Sequence, residues 1–341
     1  MGMAMNKSEA GFSLVELMVG MLLGIILIAG AGTIYLSSKR SYVEVEQVAA
    51  LSENARFAEL LVTDSLRHVG NFGEVTADQV EADGSLSAVV DDCSGAAAAY
   101  DTANFLFAAT ADGSGNALGC ITDAQPGTDV LVVKHVIPRP FSDGPRVGGD
   151  PNDPLQSDGT IDTPSALDPQ KTYVMTNNIG GILFDGGDTA PTITTGGDIP
   201  GGVAWEYQFE IFYTRNANIP QLSRKVLAWN GAAMAVVTED VVEGVEDLRL
   251  MFGFDSDNDG EVDTYSNVAS IGTNWDRVES VEMFMLIRSA TQDLQYTDVK
   301  TYNLGGGVTV QPGLTAPNFR RMVTHASISL RNMKLVIRSG V

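Results

Sequence analysis

The 341-residue sequence has little of several things, and each scarcity excludes something. Only two cysteines are present, Cys93 and Cys120, and only three histidines, His68, His135 and His325. Neither cysteine has a Cys-x-x-Cys partner or a neighbouring histidine, so no zinc framework is spelled out. Basic residues are few: 21 Lys+Arg stand against 43 Asp+Glu, a formal charge of −22. Such a chain repels a phosphate backbone, and no basic stretch is interleaved with aromatics, which argues against nucleic acid as a partner. Catalytic signatures are lacking as well. No HExxH pairs two histidines, no GxSxG presents a nucleophile, and Gly305-Gly306-Gly307 lacks the Lys-Ser/Thr of a phosphate loop and reads as a turn. The expectation is a protein that is not an enzyme. Proline is missing until Pro126, which leaves the first third of the chain free to form a long unbroken helix.

What is present begins at the N-terminus. Apolar residues dominate positions 12–36, with Glu16 as the one charge. The twenty residues 17–36 would make about 30 Å of helix, the thickness of a bilayer core. Three readings compete: a secretory signal with a small-x-small site at Ala29-Gly30-Ala31, a single-pass anchor, or a buried core helix. Glu16 weighs against the first two, because a carboxylate at the membrane end of an apolar helix is expensive and usually has a dedicated partner.

The residues around that acid are Ala10-Gly11-Phe12-Ser13-Leu14-Val15-Glu16-Leu17, with Glu16 fifth when Phe12 is counted first. This resembles the signal of type IV prepilins and pseudopilins. The resemblance implies a leader over residues 1–11, cleavage between Gly11 and Phe12, and N-methylation of Phe12 by a prepilin peptidase. It also gives Glu16 a task. In a helical stack, the amine freed at a neighbour's Phe12 can pair with this carboxylate in low dielectric and set axial register, since a buried unpaired charge costs several kcal/mol.

The helical pattern continues past the apolar run. Val48, Leu51, Ala55, Ala58, Val62 and Val69 recur at spacings of three, four or seven, while charged residues fall mostly elsewhere. The expected division is a membrane-spanning or filament-core half over 12–38, an amphipathic half over 39–69 closed by Gly70, and a β-rich head over 70–341. Strands are expected at 130–137, 172–176, 205–214, 222–229, 234–238, 248–254, 278–288 and 323–330. Segments 138–170 and 177–202, rich in Pro, Gly and Asp, read as long surface loops. The fold class is α+β and type IV pilin-like: a long N-terminal α-helix packed against a mostly antiparallel β-sheet head. In an exported protein Cys93 and Cys120 are expected to form a disulfide worth roughly 3 kcal/mol, the alternative being two unrelated buried thiols.

Three further stretches narrow the resemblance: 65–73 (SLRHVGNFG) at the helix end, Phe319-Arg320-Arg321-Met322-Val323, and Ser329-Leu330-Arg331-Asn332. With the large head they are similar to the PilW family of type IV pilus minor pilins, itself related to the type II secretion pseudopilin GspJ. The family implies a structural role in pilus initiation and assembly near the tip. The implied partners are other minor pilins, the major pilin, a pilus tip adhesin, the inner-membrane assembly platform and the prepilin peptidase. The implied location is the bacterial inner membrane with the head in the periplasm, then the pilus and cell surface. A GspJ-like pseudopilin and a membrane-anchored, calcium-dependent surface binding protein are the alternatives.

One motif points to a ligand. Asp255, Asp257, Asp259, Glu261 and Asp263, with Gly260 between them, match the first nine positions of an EF-hand-type calcium loop. Oxygen donors at alternate positions turn inward on a hard cation, Gly260 permits the bend, and Glu261 would offer its backbone carbonyl. Ser266 stands where the bidentate Glu belongs and the flanks read as strand, so Ca2+ is expected to bind weakly. The alternative is an acidic hairpin turn without metal.

Overall fold

The computed structural model describes residues 11, 13–140, 167–257 and 259–332. Helix α1 runs from Leu14 to His68, unbroken over 55 residues. Its contacts divide it. Up to Ala50 the large apolar side chains are exposed, for example Leu17, Leu22, Ile25 and Leu36. From Leu51 onward the spacing of three and four buries Leu51, Ala55, Ala58, Val62, Leu66 and Val69 in one core. Val48, expected on this stripe, is exposed, so the stripe begins one turn later. The two alanines let the backbone lie close to the sheet, and each buried Leu or Val contributes about 1.5–3 kcal/mol. The helix ends where predicted. Gly70 takes φ +70°, a Cβ there would lie 2.8 Å from the Phe105 ring, and its N–H donates to the Lys134 carbonyl at 3.2 Å.

The strands in chain order are β1 (Val80–Ala82), β2 (Leu106–Thr110), β3 (Asp129–Val136), β4 (Thr172–Thr176), β5 (Gly181–Asp185), β6 (Val203–Arg215), β7 (Gln221–Trp229), β8 (Met234–Glu243), β9 (Val245–Phe254), β10 (Thr264–Asn267), β11 (Val278–Arg288), β12 (Tyr302–Asn303), β13 (Thr309–Val310) and β14 (Arg321–Ser329). One sheet runs β1-β5-β4-β6-β3-β2, with β7 on β6 and β8 on β7; a second runs β10-β9-β11-β14; β12 and β13 form a small pair. Pairing is antiparallel except between β1 and β5. All eight expected strands are present. Segment 177–202, expected as loop, contains β5, whose Leu183 and Phe184 are fully buried. Its short apolar run is hidden among glycines, and the strand is held by its pairing with β4 and β1. Most of the other expected loop, 138–170, lies outside the described residues.

Strand β3 is buried along its whole length because both its faces are covered. Leu131 and Val133 join the helix stripe, whereas Val130, Val132 and Val136 join a second core with Phe72, Cys93 and Tyr207. This two-residue alternation places His135 on the helix side and Lys134 on the other. The Lys134 ammonium donates to the carbonyls of Ala96, Ala98 and Asp101 at 2.9, 2.8 and 2.6 Å, which ties down the disulfide-bearing segment. Burial lowers its pKa to about 8. Cys93 and Cys120 are bonded, as expected.

Candidate functional site

At the N-terminus the expected processing junction is only partly described: Gly11 is exposed and Phe12 lies outside the described residues. Glu16 sits in the first turn of α1, exposed, and accepts the Ser13 N–H at 3.0 Å. Ser13-x-x-Glu16 is thus half of a capping box, the acid serving one of the free N–H groups at the helix start. That bond is solvated and competes weakly with a charged partner. The apolar residues that follow are covered by nothing else among the described residues of this part.

The acidic loop joins β9 to β10, so its flanks are strands. Asp255 is fully buried and accepts the N–H groups of Asp257 at 3.1 Å and Gly260 at 2.8 Å. Gly260 has φ +87°, a backbone that favours glycine. Asp263 accepts from the Ser256 N–H at 2.8 Å, and the hydroxyl and N–H of Ser256 hold its carboxyl below the usual range. Carboxylate oxygens of Asp255, Asp257 and Asp263 come within 4.8 Å of one another. The neighbouring Asp259 pushes the Asp257 carboxyl up, as crowded like charges do. Asp259 and Glu261 stay outside that group; the Asp259 carboxylate is turned to the Glu261 N–H at 2.8 Å. The structure therefore gathers three of the five residues the motif suggested.

The C-terminal arginines do structural work. Arg321 has no exposed side-chain surface and binds Glu246 through Nε at 2.6 Å and Asp298 through Nη1 at 3.0 Å. Tyr302 also donates to Asp298, at 3.0 Å. Arg320 pairs with Asp293 at 3.0 Å and lies over the Tyr296 ring. These bonds fasten the segment between β11 and β14 to the second sheet. Arg321 is thus a buried guanidinium whose charge is met by two carboxylates.

His68 and His135, read separately from sequence, are brought together, with ring centres 5.6 Å apart. No spacing rule could have found the pair, because α1 and β3 supply one each.

Two family models match the chain: "Type IV Pilus-assembly protein W" over residues 211–332, and "Prokaryotic N-terminal methylation motif" over residues 6–32. Among solved structures the chain is similar to a type IV-like pilin from Thermus thermophilus, at 16% identity and a TM-score of 0.23, over 49% of this chain and 86% of that one. No curated protein matches. The chain carries a PilW domain and a prepilin methylation motif, and together they support a minor-pilin role in a type IV pilus.

Proposed function

We propose that this chain, a methylation-motif protein with a PilW pilus-assembly domain, serves as an initiating subunit that stays near the pilus tip. Prepilin peptidase would cut between Gly11 and Phe12, and the apolar helix would hold the subunit in the inner membrane with its head in the periplasm. On assembly Glu16 would accept a neighbour's N-terminal amine, and the head would present its loops to other minor pilins, the major pilin or a tip adhesin. The observation that carries this reading is the Gly11-Phe12 junction with Glu16 at the head of an apolar helix whose side chains up to Leu36 are exposed. Such a surface needs lipid or neighbouring helices to cover it. The test is intact mass and N-terminal sequencing of membrane-extracted protein. N-methylated Phe12 is expected; a start near Gly32 would sink the reading.

We also propose that Ca2+ binds the β9–β10 loop through Asp255, Asp257 and Asp263, with Asp259 and the Glu261 carbonyl as further oxygen donors. The convergence of the three carboxylates at the turn supports it. With serine in place of the bidentate Glu, the affinity suits the millimolar calcium found outside cells.

A further inference from the structure

Among the described residues, most edges of the two sheets are blunted. β1, β2 and β10 are three, five and four residues long. β8 is longer, but its pairing with β7 shifts register between Leu222 and Ser223, and it carries Glu239, Asp240 and Glu243. Short strands, bulges and charges are the usual means of keeping an edge from pairing with another chain. β14 uses none of them. Its nine residues pair with β11 in unbroken register. Residues 321–329 include no proline, lysine or acid, and Arg321 is buried.

The bonds just beyond the two ends of β14 fix which of its backbone groups face outward. The Leu330 N–H donates to the Glu279 carbonyl at 2.8 Å, and the Ser289 N–H donates to the Arg320 carbonyl at 2.9 Å. In each case the two residues lie directly opposite one another in the register. Opposed residues of an antiparallel pair alternate between bonded and non-bonded, so the even-numbered residues of β14 bond to β11. Val323, His325, Ser327 and Ser329 therefore turn their N–H and C=O groups away from the sheet. No backbone partner meets these groups among the described residues.

A cavity of about 700 Å³ lies between this edge and the last turns of α1, lined by residues 326–329 in succession and by Glu59, Thr63, Arg67 and Arg331. Successive side chains of a strand point to opposite faces, so four residues in a row line a cavity through the strand's edge. Glu59 is engaged by the Thr324 hydroxyl. Arg224, which also lies beside α1, is spent on Glu210 at 2.7 Å. Arg67 and Arg331 are exposed and have no carboxylate partner among the described residues. Two free guanidinium groups at one edge of a chain with a formal charge of −22 suit a partner that brings carboxylates.

We propose that the β14 edge takes an extended, acid-bearing segment of a neighbouring subunit as an added strand. The segment's main chain bonds the outward groups of β14, and its carboxylates meet Arg67 and Arg331. The inference rests on the assembly reading for the source of that segment. The edge is tested apart from processing at Phe12, so either can fail without the other.

The probe is a fluorescent nine-residue synthetic peptide of alternating valine and threonine carrying two glutamates, with a control in which lysines replace the glutamates. Each is titrated into full-length chain in non-ionic detergent and followed by anisotropy. Saturable one-to-one binding of the glutamate peptide is expected, with the lysine peptide at least about tenfold weaker. Ser327→Pro removes an outward N–H and leaves the bonds to β11 in place, a position where an edge strand tolerates proline. It should keep the wild-type far-ultraviolet dichroism and weaken the glutamate peptide at least about tenfold. Arg331→Glu, at an exposed position, should weaken the glutamate peptide and strengthen the lysine peptide. Absence of saturable binding, equal binding by folded Ser327→Pro, no exchange of preference in Arg331→Glu, or dimers of the chain that Ser327→Pro dissolves would each overturn the proposal.

Discussion

The two ends of helix α1 obey opposite rules. Residues 14–50 expose nearly every large apolar side chain, while their one N-terminal acid has a single solvated bond. Residues 51–332 bury not only Leu66, Phe252 and Tyr213 but also Lys134, Glu210 and Arg321, each ringed by named partners. Burying a charge is tolerated only when it is paired, and the head pairs these three internally. The first region therefore leaves an apolar surface that only contacts from outside the chain could cover, whereas the head finds its partners within the chain. One continuous helix carries both behaviours, and the change falls near Leu51.

The largest expected effect breaks the first region alone. Glu16→Ala should reduce sheared surface pili at least about tenfold, as expected when a desolvated charge pair worth several kcal/mol is lost. The melting temperature of the head should not move, because Glu16 is exposed and bonds within its own turn, to the Ser13 N–H. Normal piliation with Glu16→Ala would remove the assembly role of the acid. The complementary experiment truncates one aliphatic side chain in each region. Leu66→Ala, at a fully buried position, should lower the unfolding free energy of the head by about 2–5 kcal/mol in denaturant. Ile26→Ala, at a position 58% exposed, should leave it unchanged. Equal effects from both variants would abolish the division.

How much of this was legible in the sequence follows the same division. The helix, its buried stripe and its stop at Gly70 are local patterns, and Leu51, Ala55, Ala58 and Val62 announce themselves by spacing. The acidic loop is local too, though sequence could not say that Asp259 would turn to the Glu261 N–H while Asp263 joined Asp255 and Asp257. What was hidden is non-local. Ser65 meets Glu210 across 145 residues, and Asp129 accepts the Leu250 N–H across 121. A buried charge in the sequence looks like any solvated charge until its partner is placed. Strand β5 escaped for a related reason: its five residues are held by neighbours on both sides rather than by their own pattern.

The internally paired charges of the head give a smaller, pH-dependent signal. Burial pushes the Asp247 carboxyl up to about 6, against the pull of Arg249 at 2.8 Å. Near pH 5 the folded head thus keeps a proton that the unfolded chain, with an ordinary carboxyl near 4, has already released. Raising the pH from about 4 to about 6 should therefore cost stability at this residue, on the order of 1–3 kcal/mol. Burial also raises the Asp129 carboxyl, which adds in the same direction. The check compares wild type with Asp247→Asn in denaturant melts at several pH values. The wild type should lose ground to the variant as pH rises through that window, and a constant difference would exclude Asp247 as the titrating group.

The smallest expected effect tests whether the head is as self-contained as its ion pairs suggest. At the β9–β10 turn the Asp255, Asp257 and Asp263 carboxylates crowd together, and a bound dication would relieve their repulsion. With a dissociation constant near millimolar, tenfold excess Ca2+ would stabilise the folded head by roughly 1.4 kcal/mol through mass action. Thermal melts with Ca2+ or with a chelator should therefore differ by a few degrees in wild type and coincide in Asp257→Ala. Asp257 is the residue to change because it is exposed, whereas removing buried Asp255 would also strip acceptors from the Asp257 and Gly260 N–H groups. Should wild type and Asp257→Ala respond alike, the turn needs no metal and its backbone bonds suffice. The head would then complete this acidic turn, like its buried charges, from within the chain.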